Sequence, residues 1–368
     1  VANSELAHKT RPQETPVMPT IRQPHVQAFL ARVHPGLRKT QRVNLLAVVC
    51  GILLSGKLQL SAVARCTPGA VRLIHRIKRV HRFIDNPRLS PTRLGLQLAY
   101  ANWQQAARQA RPCVLMDYTD LGDGYLSLWT ALAYRGRSVP LLCWTLPKTQ
   151  ALVSRNTLEH EMLLLLRAHF GTGWVLVADR GFARASLLQM LNQWQIDYVI
   201  RIDDNTMMHT PDGRTLAGKL RIRGRRRFLP QVGYHSDLRV PINLLLCGRR
   251  GARWNLATSL TDPQEIFQCY QRRMQIEEMF RDLKQHLGLE RMRSTTLQRR
   301  AMWLVLAAIA YSYLYWLGRV AQQAGLSERY HYWKSESQFW LGLQLFRHND
   351  PDLTTLLARW LKVPKQSG

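Results

Sequence analysis

Acid is what this chain has least of for its size. Its 368 residues hold 24 Asp and Glu against 52 Lys and Arg, a formal charge of +28 at pH 7. Self-repulsion on that scale disfavours a compact state unless a polyanion neutralises it, which points to nucleic acid more than to an acidic membrane. Cysteine is scarce and scattered. The six (Cys50, Cys66, Cys113, Cys143, Cys247 and Cys269) form no C-x-x-C pair. They read as reduced thiols of a cytosolic protein, not as a zinc site or a disulfide frame. No G-x-S-x-G, H-E-x-x-H or Walker loop occurs, so those hydrolase and nucleotidase chemistries have no carrier. The first twenty residues lack an apolar core of the secretory kind, and their Pro, Thr, Glu and Gln content predicts a disordered leader over 1–20. Long apolar runs are also few. Ala301–Gly318 is long enough to test as a membrane span, but Tyr311, Ser312, Tyr313 and Tyr315 within it, and the basic residues around it, predict a buried helix.

Apolar residues make up 46% of the chain, enough for a sizeable interior, and the length allows two or three domains or one elaborated core. Residues 21–110 read as all helix. Val26–Val33 and Val43–Leu54 are apolar-periodic. A short helix near Ser61–Arg65, the turn Cys66-Thr67-Pro68-Gly69 and a longer helix from Ala70 follow. In that last helix Val71, Ile74, Ile77 and Ile84 are expected to face the interior, with Arg72, His75, Arg76, Arg79 and Arg82 outside. The pattern resembles a helix-turn-helix reader of the major groove, with Arg72, Arg76 and Arg79 as candidate DNA contacts. It also fits a solvated basic face on a small bundle.

From residue 111 the periodicity changes. CVLM ending at Asp117, Tyr125–Tyr134 and Ser138–Leu146 read as three consecutive strands, the last two joined at Arg135-Gly136-Arg137. A helix over about Ser154–His169, a strand Trp174–Ala178 ending at Asp179, a helix Ala183–Trp194 and a strand Ile196–Ile202 complete the series. Strand, strand, strand, helix, strand, helix, strand is the succession of a ribonuclease H-like α/β core, placed at 111–290. Its last helix is postponed by a β-rich insertion, 203–253, with strand-like runs at Phe228–Val232 and Val240–Leu246. Inside the insertion Arg221, Arg223, Arg225, Arg226 and Arg227 crowd into seven residues, a footprint for phosphates. Residues 291–368 read as helical, with Gln338–Arg347 and Leu353–Leu361 as packing or pairing surfaces.

The postponed helix is expected over Asp262–Leu287, with Asp262 as N-cap and Pro263 at its first position. On an ideal helix Ile266, Tyr270, Arg273, Glu277 and Lys284 fall within an arc of roughly 60°, with Glu278 about 100° away from Glu277. Asp117 and Asp179 each follow an apolar strand, where the ligand-binding edge of an α/β sheet lies. With Glu277 they make three hard oxygen donors suited to Mg²⁺ or Mn²⁺. Two such ions, roughly 3.5–4 Å apart, would clamp both oxygens of an in-line phosphoryl displacement. Asp120, Asp123, Asp203 and Asp204 sit beside glycines or open the insertion and read as turn formers.

These residues resemble a known family. Tyr270-x2-Arg273-x3-Glu277-x6-Lys284 matches the Y-R-E-K motif of bacterial insertion-sequence DDE transposases of the cut-and-paste group, and VLMDYTDL and VADRGF match the contexts of its two aspartates. The resemblance runs from about Val43 to Arg347. It implies a metal-binding catalytic triad of Asp117, Asp179 and Glu277 with two Mg²⁺ ions, for which Mn²⁺ can substitute. It implies that Tyr270, Arg273 and Lys284 hold backbone phosphates near the cleaved end, and that Trp254 stacks a base extruded as a hairpin forms. A core tryptophan opening a strand is the competing reading of Trp254. Arg180-Gly181-Phe182 follows Asp179 where some relatives carry a longer motif of acidic and small residues. The implied partners are double-stranded DNA, as inverted-repeat ends and target, and a second copy of the chain in a synaptic homodimer; the implied place is the bacterial cytoplasm, at the nucleoid. A non-catalytic DNA-binding descendant and a structure-specific nuclease on the same fold are the alternatives.

Overall fold

A computed structural model describes residues 22–67, 71–107, 111–222, 224–249, 252–294, 296–330, 337–350, 352–353 and 355–356. The leader 1–20, Arg223, the turn residues Pro68 and Gly69, and most of Leu353–Leu361 lie outside them.

Five helices come first: α1 (Arg22–Val33), α2 (Lys39–Ser55), α3 (Leu60–Cys66), α4 (Leu73–Ile84) and α5 (Pro91–Ala106). Ser90 caps α5 by accepting the Arg93 N–H, and Pro91 occupies its first turn, where no N–H is needed. The inward face of α4 differs from expectation. Val80, Phe83 and Ile84 are buried, whereas Val71 and Ile74 are 53% and 52% exposed. Two of the three arginines expected to be free are engaged. Arg76 donates to the carbonyls of Arg65 and Thr67, and Arg79 to Asn44 Oδ1 and the Val43 carbonyl, so they fasten α4 to α3 and α2.

The mixed α/β core is built on one ten-stranded sheet in the order β3-β2-β1-β4-β5-β10-β9-β8-β6-β7. β1 (Cys113–Gly122), β2 (Tyr125–Tyr134) and β3 (Arg137–Pro147) are the expected antiparallel meander. Arg135 and Gly136 close its second hairpin with φ of 50° and 83°, the left-handed pair a two-residue turn demands. After α6 (Ala151–Phe170), β4 (Val175–Ala178) joins β1 in parallel; after α7 (Ala185–Trp194), β5 (Asp197–Ile202) joins β4 in parallel. This half is consistent with a ribonuclease H-like core. β6 (Met207–Thr210), β7 (Gly213–Leu216), β8 (Arg226–Tyr234), β9 (Val240–Arg249) and β10 (Ala252–Thr258) continue the same sheet, because β10 pairs antiparallel with β5. The β-rich insertion therefore extends the core sheet instead of standing beside it.

The helix expected over Asp262–Leu287 is two: α8 (Pro263–Gln271) and α9 (Met274–Leu287). Asp262 caps α8 as anticipated, accepting the N–H groups of Gln264 and Glu265. Between the helices Arg272, Arg273, Gln275 and Ile276 each donate to the carbonyl three residues back, a 3₁₀ tightening that an ideal 3.6-residue wheel does not contain.

α10 (Leu297–Gln323) is long and apolar enough to cross a membrane, yet 94% of its most apolar window is buried inside the protein. Its polar groups explain why. Tyr311 and Tyr315 donate to the carbonyls of Ser138 and Tyr134, and Trp316 Nε1 to Asn102 on α5, whose amide reaches the Pro140 carbonyl and Ser312. α11 (Gln338–His348) spends its apolar face, Phe339, Leu341, Leu343, Leu345 and Phe346, inside the protein, so this helix is a packing element and not an open pairing surface. It crosses α10 at Gly318 and Gly342; a Cβ on Gly342 would stand 1.9 Å from the Leu314 carbonyl oxygen. All six cysteines are free thiols, as expected.

Candidate active site

Asp117 does not end its strand. β1 runs five residues further, paired with β2, and what ends is its pairing with β4, whose last register pair is Met116 with Ala178. Asp117 and Asp179 are each the next residue, so parallel register sets two carboxylates side by side where β4 turns away. Asp120 and Asp123 take turn roles. Asp120 accepts the Gly122 N–H and pairs with Lys148; Asp123 has φ of 48° and pairs with Arg300. Asp203 and Asp204 likewise serve the start of the insertion, pairing with Arg180 and accepting from Asn255.

The third acid arrives on α9. Arg137 on β3 bridges Asp282 at 3.3 Å and Glu278 at 3.5 Å, docking α9 so that Glu277, one residue round, faces the aspartates. Burial pushes the Asp282 carboxyl up from 3.8 to about 6, against the pull of Arg137. A folded-state pKa above the unfolded one means that ionisation costs stability as pH rises from about 4 to about 6, by about 3 kcal/mol at most. An Asp282→Asn variant should therefore gain stability over its parent progressively across that window; urea midpoints that run parallel from pH 4 to pH 7 would refute this.

Arg273 stands between the acids, with Nη2 2.7 Å from Glu277 Oε1 and Nη1 3.7 Å from Asp117 Oδ2. Tyr270 donates its hydroxyl to Asp179 Oδ1 at 3.3 Å. The 3₁₀ step makes this possible. With three residues per turn, Tyr270 and Arg273 eclipse and both side chains address the same carboxylates. Burial pushes Asp117 up to about 6; the Tyr118 N–H and Arg273 pull it down, and Glu277 and Asp179 push it further up. Burial lowers Arg273, but Glu277, Tyr270 and Asp179 outweigh it and the guanidinium ends above its usual range. Burial, then the charge of Asp179, raises the Tyr270 hydroxyl. Among the described residues no three His, Cys, Asp or Glu side chains are close enough to ligate one metal ion together. The acids instead share a guanidinium, so the donor set suits a cation.

Trp254 opens β10 and belongs to the same neighbourhood. Its ring is 4.9 Å from that of Tyr270, at 74°, and 5.9 Å from Phe267. Lys284 pairs with Glu290 at 2.7 Å. Arg226 pairs with Gln264 and lies 3.8 Å over the Phe267 ring, and Arg227 donates to the Arg221 carbonyl. Arg221, Arg225 and Arg72 are exposed. The register places Trp254 and Arg226 at one end of the strands. Trp254 pairs with Cys247, and Cys247 with Arg226, so the start of β8 opens on the edge where β1 and β4 present Asp117 and Asp179.

Residues 130–313 match the family model of the transposase DDE domain. The chain belongs to the DDE transposase family. The matched stretch contains Asp179 and Glu277, while Asp117 lies thirteen residues before it. The comparison with curated proteins finds no match.

One support for this candidate site in the transposase was not legible in the sequence. Glu159 on α6, 1% exposed, accepts the Tyr118 hydroxyl and pairs with Arg184. Tyr118 also stacks on Phe182 at 5.6 Å and 11°. The residues following Asp117 and Asp179 are thus tied to each other through α6. The signal was weak: Glu159 and Glu161 both precede the apolar block Met162–Leu166, and only the buried one, Glu159, needs buried partners.

Proposed function

We propose that this transposase binds the inverted-repeat ends of a mobile DNA element and catalyses divalent-metal-dependent cleavage and strand transfer. The observation that carries the reading is the convergence of Asp117, Asp179 and Glu277, from β1, the end of β4 and α9, on Tyr270 and Arg273. Asp117, Asp179 and Glu277 would hold Mg²⁺ or Mn²⁺, two ions per site; when bound, the metal lowers the pKa of an attacking water and stabilises the charge on the leaving oxygen. Arg273 leaves Asp117 and Glu277 for a DNA phosphate, which it can grip through two parallel N–H groups, and Tyr270 donates to a neighbouring one. In cleavage, water attacks a phosphodiester phosphorus and the 3′ oxygen leaves as a hydroxyl; in joining, that hydroxyl attacks a target phosphodiester and releases a new 3′ end. Trp254, beside Tyr270, offers an indole face for an extruded base on a route through a hairpin end.

In this reading residues 21–110 form the end-binding part, with α4 as its groove-facing helix. Arg72, with the exposed His75, Lys78 and Arg82, faces DNA, while Arg76 and Arg79 hold the helix in place. The variants should separate these roles. Arg72→Ala should weaken duplex binding about tenfold with an unchanged melting temperature, the size of one lost charge-assisted contact. Arg79→Ala should lose about 1–2 kcal/mol of stability in equilibrium unfolding. A stability loss at Arg72 with none at Arg79 would reverse the assignment.

The deciding experiment takes the full chain and the DNA flanking its own coding region. With Mg²⁺ it should nick at the ends of short inverted repeats and join those ends to a target plasmid. Cleavage of any DNA without joining would indicate a nuclease, and binding without metal-dependent cleavage a non-catalytic descendant.

A further inference from the structure

Beyond the catalytic edge, a cavity of about 250 Å³ opens between the turn before α2 and the start of α5. Arg38, Arg88 and Arg93 line it with Gln41, Gln97 and Ser90, and no acidic side chain does. None of the three guanidinium groups meets an acceptor among the described residues. The two glutamines have their acceptors occupied within the protein. Gln41 Oε1 takes the Arg38 N–H at 3.1 Å, and Gln97 Oε1 meets Nδ1 of the buried His34 at 2.8 Å. Burial holds His34 neutral, with its pKa down at about 4, so Nδ1–H is the donor in that bond. With each oxygen already engaged, both amides keep their NH₂ groups to offer an incoming acceptor. The lining carries three positive charges and no acid, on guanidinium groups open to solvent, and an anion seated among them would relieve their mutual repulsion. The first turns of α2 and α5 begin at the same place and add the positive ends of two helices of 17 and 16 residues.

We propose that this cavity is a phosphate site that seats one backbone phosphodiester of DNA beside the groove entered by α4. Its position supports the choice of DNA over free phosphate. Arg79 of α4 bonds Asn44 and Val43 near the start of α2, and Arg88 lies on the short link between α4 and α5. A phosphate here would flank the duplex that the exposed Arg72 and Lys78 address, the arrangement by which backbone contacts fix the register of a groove-reading helix. The inference rests on the DNA-binding reading given under the proposed function.

The test uses the full chain, a fluorescent random-sequence duplex and a salt titration, with parent, Arg38→Ala/Arg88→Ala/Arg93→Ala and the single Arg93→Glu. Loss of one phosphate contact should reduce the slope of log affinity against log salt by about 0.9 and weaken binding about tenfold at 0.1 M salt. Arg93→Glu should show the same change should the triple variant fail to fold. A parent and a folded variant with the same slope and affinity would overturn the site while leaving the transposase reading intact. If millimolar inorganic phosphate raises the melting temperature of the parent alone and the duplex slope does not change, the cavity serves free phosphate and the DNA assignment falls. A parent that holds no duplex would remove both the site's ligand and the DNA reading.

Discussion

A Glu277→Gln variant is expected to bind DNA ends at least as tightly as its parent and to cleave them on the order of 10³-fold more slowly, the scale of losing one group that stabilises transition-state charge. The substitution keeps the shape of the side chain and removes the charge that Arg273 contacts at 2.7 Å. Tight binding should survive because the phosphates are held by cations, and one fewer acid faces them. The adjacent residue is the control. Glu278 pairs with Arg137 and Arg281 and faces away from the aspartates, so Glu278→Gln should change the cleavage rate only a few-fold while lowering stability. Gel assays of end cleavage with Mg²⁺ at saturating protein separate the two. Full activity in Glu277→Gln, or its loss in Glu278→Gln alone, would move the catalytic acid by one residue and break the triad.

The largest effect on stability is expected at the crossing of α10 and α11. Gly342→Ala would put a methyl group 1.9 Å from the Leu314 carbonyl oxygen, and Gly318→Ala one 1.7 Å from the Gln338 oxygen. Both obstacles are backbone, so no side chain can rotate aside and the helices must separate. The cost should be about 3 kcal/mol or more, at the upper end for overpacking. Gly173→Ala, which meets nothing within 4 Å, should stay within about 0.5 kcal/mol. Chemical denaturation midpoints of the three variants decide it, and a mild Gly342→Ala would mean that the crossing is looser than the structure has it.

Much of this was legible in the sequence, for local reasons. Strands of the core announce themselves as apolar runs ending in turn residues, so WVLVA before Asp179 and the Arg135-Gly136 hairpin could be placed to within a few residues, whereas β1 starts where expected but runs five residues past Asp117. Helical phase separated Glu277 from Glu278, and the two have different partners: Glu278 pairs with Arg137 and Glu277 with Arg273. What the sequence could not carry were facts of pairing. Nothing in residues 203–253 says that β10 would pair with β5 and merge the insertion into the core sheet, because register between distant strands is decided by their packing. The 3₁₀ step at Arg272–Ile276 was hidden by an assumed uniform helix; the stripe put Tyr270, Arg273 and Glu277 on one face but did not foretell the contacts of Tyr270 with Asp179 and of Arg273 with Asp117. An arginine on an exposed-looking face reads as a free charge until a carbonyl is found under it, as at Arg76 and Arg79. Periodicity puts Val71 and Ile74 on one face with Ile77 and Ile84, yet the structure leaves both about half exposed.

The single sheet also sets a length. From β1, which bears Asp117, to β8, which bears Arg226, the order counts five strand steps. At about 4.8 Å per step that is about 24 Å of edge, close to seven nucleotides at about 3.4 Å each. A duplex laid along this edge would meet the cutting acids and the arginine loop about two-thirds of a helical turn apart. Under the proposed function the sheet would serve as a ruler, the hydrogen-bond spacing of its strands setting the distance between the break and the arginine grip.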